Sequence, residues 1–236
     1  MRRPMGRLRL CALTDFHGSD EGVRAASRAL SRHGFDLILL AGDVAFNDLS
    51  LAESLLVRLS ALGREILFVP GNTDPKGLEA YVGENVTCIH GRRVERSGYT
   101  FIGLGGAPIS PFATPYQWEE REAAEILNKA SVKATPNLVL LTHAPPKNTK
   151  LDKTGSGAHV GSSTIRAFIQ ETQPVLAVCG HIHEARGEEV IGRCLIVNPG
   201  PAYEGNTLIL DLNGLTKIAS PHLLPRSRYS NSFNNT

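Results

Sequence analysis

Seven residues in this chain are types that bind metals, and their spacing is regular. Asp15 and His17 form D-x-H, Asp43 follows a glycine in "GD", Asn72 follows one in "GN", His143 closes "TH", and His181 and His183 form H-x-H. Carboxylates, imidazoles and one side-chain carbonyl make a mixed hard and borderline donor set. It suits manganese first, with iron, zinc, cobalt or nickel also compatible, and it does not suit a thiolate-bound metal. On an extended chain, alternate residues share a side, so Asp15 with His17 and His181 with His183 can each chelate. Seven donors exceed the four of a tetrahedral site, which argues for two divalent metal ions. Two ions roughly 3.5–4 Å apart generate a bridging hydroxide and clamp a phosphoryl group in line for displacement.

Such donors must be carried to one place, and the surrounding pattern says how. Residues 8–14, 36–41 and 65–69 are short apolar runs, while 21–33 and 50–62 carry apolar residues at three- and four-residue spacing. This is a βαβαβ start with a parallel sheet. "NLVLLTH" (137–143), a helix near 162–172 and "PVLAVCGH" (174–181) repeat the theme, and after residue 185 short strands joined by turns predict an antiparallel section. Each parallel strand ends at a candidate ligand. Ligands in open α/β sheets bind beyond the carboxyl ends of the strands, so the seven should share one rim.

The ordered blocks "DFH", "GD" (42–43), "GN" (71–72), "TH" (142–143) and "GHIH" (180–183) resemble the calcineurin-like metallophosphoesterases over residues 8–212. "CGHIHEARG" with "VNPG" further resembles the Icc-related branch of small phosphoesterases. The resemblance implies an α/β fold of four layers, an α-β-β-α sandwich with two mixed sheets flanked by helices. It implies that Asp15, His17, Asp43 and His183 hold the first metal, and that Asp43, as bridge, Asn72, His143 and His181 hold the second. The family block is usually G-N-H-D or G-N-H-E, and Thr73 stands here in place of its histidine. A threonine hydroxyl donates a hydrogen bond but is no acid near neutral pH. The residues expected to act in the reaction are Asp43, Asn72, Thr73, Asp74 and His159, with Asp74 able to orient an imidazole introduced at position 73.

His159, in the Gly- and Ser-rich "TGSGAHVGS", is read either as a loop histidine or as a phosphate contact or substitute acid beside a helix N-terminus. His90 reads as structural or as marginal to the site, His33 as the end of a helix before Gly34, and His222 as without a role. "GLGGAP" (103–108) lacks the dinucleotide-binding spacing and fits close backbone approach. Lys147, Lys150 and Lys153 read as solvated, with attraction of an anionic substrate as the alternative. "NPG" (198–200) reads as a turn, placed near the metals by the resemblance. Phe112, Tyr116 and Trp118 read as packing or as a stacking surface for a base.

The 236 residues carry 25 Lys plus Arg against 23 Asp plus Glu, so nothing in the charge points to nucleic acid as a partner. No apolar run is long enough for a membrane helix, and the basic start is too interrupted for a signal peptide. The four cysteines form no C-x-x-C pair and read as buried free thiols, which fits a cytoplasmic protein. Residues 1–224 are expected to form one metallophosphoesterase domain and 225–236 a loose tail, with a homo-oligomer left open. The function so reached is hydrolysis of a small phosphate ester or nucleotide, a diester rather than a monoester. The alternative is a metal- or nucleotide-binding module of the same fold with little turnover.

Overall fold

The structure, a computed structural model, describes residues 8–131, 136–213 and 216–219. The expected tail, 225–236, and His222 lie outside the described residues. The chain begins as the apolar periodicity predicts, with β1 (Arg9–Leu13), α1 (Glu21–His33), β2 (Leu37–Leu40), α2 (Leu49–Ser60) and β3 (Glu65–Phe68). Each of these strands is parallel to its neighbour, with Leu10 opposite Leu37 and Ile38 opposite Ile66. α1 stops at His33 because Gly34 takes φ +63°, and its N–H closes on the Leu30 carbonyl.

Five short strands and a longer one follow: β4 (Val82–Gly83), β5 (Val86–Cys88), β6 (Arg93–Arg96), β7 (Tyr99–Leu104), β8 (Ala107–Pro108) and β9 (Gln117–Trp118). After them come α3 (Glu120–Ala130), β10 (Leu138–Thr142), α4 (Ser163–Thr172), β11 (Leu176–Val178), β12 (Gly187–Ile191), β13 (Cys194–Asn198), β14 (Leu208–Asp211) and β15 (Thr216–Ala219). One sheet has the order β15-β14-β1-β2-β3-β5-β4 and the other β12-β13-β11-β10-β7-β6, while β8 and β9 pair apart. The antiparallel section expected after residue 185 is realised only in part. β13 is antiparallel to β12 but parallel to β11, and β14 crosses to the first sheet, antiparallel to β1. The run Cys194–Asn198 is mostly buried, and burial erases the alternation that would have distinguished it.

Strand alternation divides the apolar residues into three cores. Cys11 and Leu13 of β1 pack with Ala26 of α1 and with Leu55 and Leu56 of α2. Leu10 and Ala12, on the other face, meet Phe101, Val139, Leu141 and Val178 of the second sheet. Leu138 and Leu140 of β10 turn outward onto Leu127 of α3 and Ile165 and Ile169 of α4. Three cores between four layers make an α-β-β-α sandwich of two mixed sheets. All four cysteines are buried and free. Among the described residues no helix is long and apolar enough to cross a membrane.

Candidate metal centre

Asp15 and His17 follow β1, Asp43 follows β2, Asn72 follows β3, His143 follows β10, and His181 and His183 follow β11. Both sheets therefore deliver donors from their carboxyl ends to one rim. Four of these residues sit on left-handed backbone: Asp15 at φ 54°, His17 at 46°, Asp43 at 53° and His181 at 70°. Such conformations cost of order 1–3 kcal/mol each and persist only where the surroundings impose them. The turns are held by Asp15 N–H on the Gly42 carbonyl, His17 N–H on the Asp43 carbonyl, and Gly180 N–H on the His143 carbonyl, each 2.9 Å. Asp15 and His17 do come together as D-x-H predicts, though on left-handed rather than extended backbone, whereas the reading of H-x-H as one chelating pair is corrected. His183 lies with His17, whereas the His181 ring lies 5.0 Å from that of His143. The left-handed turn at His181 and the 3₁₀ turn His183–Ala185 send the two rings apart.

The donor atoms fall into two groups that meet at Asp43. Nε2 of His17 and Nε2 of His183 are 3.1 Å apart, with Asp15 Oδ1 at 3.4 Å from the latter and 3.8 Å from the former. On the other side Nε2 of His143 faces Asn72 Oδ1 at 2.9 Å. Asp43 turns Oδ2 to His17 at 3.6 Å and Oδ1 to His143 at 3.5 Å. Asp15, His17 and His183 could hold one ion, and Asp15, Asp43 and His143 also gather donor atoms within 4.8 Å of one another.

Outer contacts aim these atoms. His143 donates from Nδ1 to the Ala41 carbonyl at 2.7 Å, which leaves Nε2 as its free electron pair. Nδ1 of His183 meets the Tyr203 hydroxyl at 3.2 Å. Asp15 Oδ2 accepts from the Thr14 hydroxyl at 2.8 Å and from the His181 N–H at 3.1 Å. Burial would raise the Asp15 carboxyl, but the facing His183 imidazole, the charge of His143 and the Thr14 hydrogen bond outweigh it and bring it to about 2. Burial and the nearby His143 lower His181 to about 4, so it is neutral and able to ligate. Asp15 Oδ1 and His17 Nδ1 are buried without a hydrogen-bond partner. An ionised Asp15 carboxylate and a neutral His181 imidazole, beside a buried oxygen without a hydrogen-bond partner, are what divalent cations require, so the residues fit the metals the sequence implies.

The remaining predicted residues are distributed differently. Thr73 donates its N–H to Asp43 Oδ1 at 2.9 Å, and its hydroxyl oxygen is buried without a partner. Asp74 accepts from Gly71 N–H at 2.7 Å and Ala45 N–H at 2.8 Å, tying the turns after β3 and β2 together. Both its oxygens are thus engaged, which removes it as a ready orienter of an imidazole at 73. Burial, then the Asp43 charge, push its carboxyl up to about 7 against those backbone bonds.

His159 bonds from Nδ1 to the buried Asp152 at 2.7 Å, and no contact with the seven donors is seen among the described residues. Its loop is nonetheless tied to the rim, by Ser162 N–H on the Pro145 carbonyl and Gly155 N–H on Glu184 Oε1. The helix N-terminus beside it is not open to phosphate. Glu120 of α3 already takes the Ser163 and Thr164 N–H groups at 3.0 and 2.9 Å and the Ser162 hydroxyl at 2.7 Å.

His90 accepts the Gly105 N–H on Nδ1, a structural contact. Within "GLGGAP", a Cβ on Gly105 would lie 2.5 Å from the Pro70 carbonyl oxygen, so close approach is its use. Asn198 of "NPG" donates to the Ile182 carbonyl and so braces the turn bearing His181 and His183. Tyr116 and Trp118 are buried, Phe112 is exposed, and Lys147, Lys150 and Lys153 are exposed. Sequence reasoning missed Tyr203, the Ala41 carbonyl, Thr14 and Phe46, which stacks on His17 with ring centroids 4.4 Å apart. Only Thr14, adjacent to Asp15, carried any signal.

A profile of the family described as calcineurin-like phosphoesterase matches residues 8–185. The chain belongs to that family. Among relatives of this calcineurin-like phosphoesterase is the uncharacterized protein MJ1162 of Methanocaldococcus jannaschii, 32% identical over 202 residues that cover 82% of this chain and 88% of the other. Two solved structures share its fold. One is TT1561 of Thermus thermophilus, at TM-score 0.74 and 19% identity, covering 90% of this chain and 97% of that one. The other is described as a novel archaeal phosphodiesterase, at TM-score 0.54 and 16% identity, covering 89% and 97%. Identities this low show the fold alone.

Proposed function

We propose that this calcineurin-like phosphoesterase hydrolyses phosphodiesters with two divalent metal ions. Asp15, His17, Asp43 and His183 hold the first, and Asp43, Asn72, His143 and His181 the second, with manganese the expected metal. The observation that carries this reading is Asp43, whose two carboxylate oxygens face imidazoles of opposite groups at 3.6 and 3.5 Å. When bound, the metals supply Lewis acidity and lower the pKa of a water molecule.

The chain's own groups orient the rest. Thr73 N–H fixes the tilt of the Asp43 carboxylate, and the Ala41 carbonyl fixes the tautomer of His143. The leaving oxygen still needs a proton, and Thr73 is no acid for it. We assign that role to His159, whose Nδ1–H is spent on Asp152 so that Nε2 is the atom left to face a substrate. Asp152 is itself fixed by N–H groups of Asn148, Thr149 and Gly161. A diester suits this rim better than a monoester, since it carries one negative charge and needs less cationic support beside two carboxylates. That a solved archaeal phosphodiesterase has this fold agrees with the reading. The second reading, a binding module with little turnover, draws on the same Thr73.

The test is manganese-loaded protein with bis(p-nitrophenyl) phosphate. Hydrolysis that Asp43→Ala abolishes supports an enzyme; metal binding without hydrolysis supports the module.

A further inference from the structure

Seven phenylalanines fall among the described residues, and Phe16, Phe35, Phe68, Phe101 and Phe168 are buried. The two exceptions are Phe46, 62% exposed, and Phe112, 75% exposed. Both sit on loops attached to the metal centre. Phe46 lies three residues beyond Asp43 and lays one face on the His17 ring, with an interplanar angle of 20°. Its loop is pinned by Asn47 N–H on the Thr73 carbonyl at 2.8 Å. Phe112 lies between β8 and β9, on a loop whose ends are held by Gly106 N–H on the Pro70 carbonyl and Tyr116 N–H on the Asn72 carbonyl. Ile109, 64% exposed, is on the same loop.

Exposed apolar rings that coincide with a polar centre call for a reason, because scattered single residues need none but a concentration marks a binding surface. We infer that the organic group of the ester is a planar apolar ring held between these loops, with the open side of Phe46 as its stacking platform. This rests on the phosphoesterase reading and adds the substrate class to it: aryl or nucleoside esters rather than small alkyl ones. The logic is electrostatic as well as steric. The two divalent ions engage the phosphoryl end of the ester, and the loops bearing Phe46 and Phe112 present apolar rings, so affinity for the organic group has to come from contacts that carry no charge. Stacking on an aromatic face provides it and tolerates different rings.

The experiment is calorimetric titration of the manganese-loaded full chain with phenylphosphonate and with methylphosphonate, whose P–C bonds an esterase does not cleave and which differ only in phenyl against methyl. Phenylphosphonate should bind about tenfold more tightly. Phe46→Leu keeps apolar bulk against His17 but removes the ring, and it should bring the ratio of the two affinities toward one, whereas Phe46→Trp should preserve it. Phe112→Ala should lower the ratio in part. Equal affinities in the wild type would overturn the inference, as would a Phe46→Leu variant that weakens both ligands by one factor, since Phe46 would then only support His17. Because binding is read without turnover, a preserved ratio in a protein that hydrolyses nothing would sink the hydrolase reading and leave this one standing.

Discussion

Asp43 and His143 belong to different sheets, yet Oδ1 of one lies 3.5 Å from Nε2 of the other. The metal centre is thus a seam between two sheets, and whatever binds there ties them together. Metal should therefore stabilise the fold by mass action, by about 2.7 kcal/mol at a hundredfold excess over Kd. Thermal melting with manganese and with a chelator should differ accordingly. His143→Ala should shrink that difference, and an unchanged metal effect in the variant would remove His143 from the ligand set.

The turn bearing His181 tolerates no side chain at Gly180. A Cβ there would lie 1.8 Å from the Thr14 hydroxyl and 2.7 Å from Asp15 Oδ2. Gly180→Ala should displace Asp15 and lower bound metal, while Gly155→Ala, whose nearest neighbour would be 3.8 Å away, should not. Elemental analysis of both purified variants decides it, and full metal content in Gly180→Ala would mean that the turn is softer than its contacts imply.

Thr73 separates stability from chemistry. Its hydroxyl oxygen is buried with no protein partner, so Thr73→Val should leave stability unchanged or raise it by about 1 kcal/mol. A fall in turnover in that variant then reports a contact with substrate. With His159 supplying the proton the wild type should show a shallow dependence of rate on leaving-group pKa, and Thr73→His should leave it unchanged, because Asp74 is held by Gly71 and Ala45. His159→Ala should make it steep, since general acid catalysis is worth about 10²–10⁴-fold and most for basic leaving groups. An unaltered slope in His159→Ala would return that residue to the loop.

Glu120 links α3 to α4, and its carboxyl is lowered. Burial would raise it, but hydrogen bonds from Ser162, Thr164 and Ser163 outweigh burial. A carboxyl with a depressed folded pKa contributes stability above its unfolded value and loses it as pH falls through the folded one. Glu120→Gln should therefore destabilise the protein near neutral pH and much less in acid, whereas Glu120→Ala, which takes the carboxylate from the Ser163 and Thr164 N–H groups while Ser162 still caps α4, should cost about 1–2 kcal/mol near neutral pH. Urea denaturation of wild type and Glu120→Gln between pH 3 and 7 measures the difference, and parallel curves would contradict it.

How far this was legible in the sequence varied with the kind of signal. Strand runs ending in ligand-type residues located the metal centre, because apolar alternation and polar termini are written locally. α3 is not among the elements read from the sequence, although Ala123, Leu127 and Ala130 recur at helical spacing; two of the three are alanines, which serve exposed and buried helix faces alike. Glu120 as the cap of a helix 43 residues later is a tertiary event, and no local pattern announces it. Alternate spacing brought Asp15 and His17 together but failed for His181 and His183, because a left-handed turn at His181 and the 3₁₀ turn after it send those rings apart, and such backbone is not written in residue type. Phe46 and Tyr203 carried no chemical signature, and their roles come only from what lies beside them.

The most direct measurement for the whole account is metal stoichiometry with activity in Asp43→Asn. Removing the charge that faces both donor groups should take the loaded protein from two metal ions per chain to one or fewer, and hydrolysis of bis(p-nitrophenyl) phosphate should fall with it. Two ions still bound, with hydrolysis intact, would show that Asp43 does not bridge and that the centre is built otherwise.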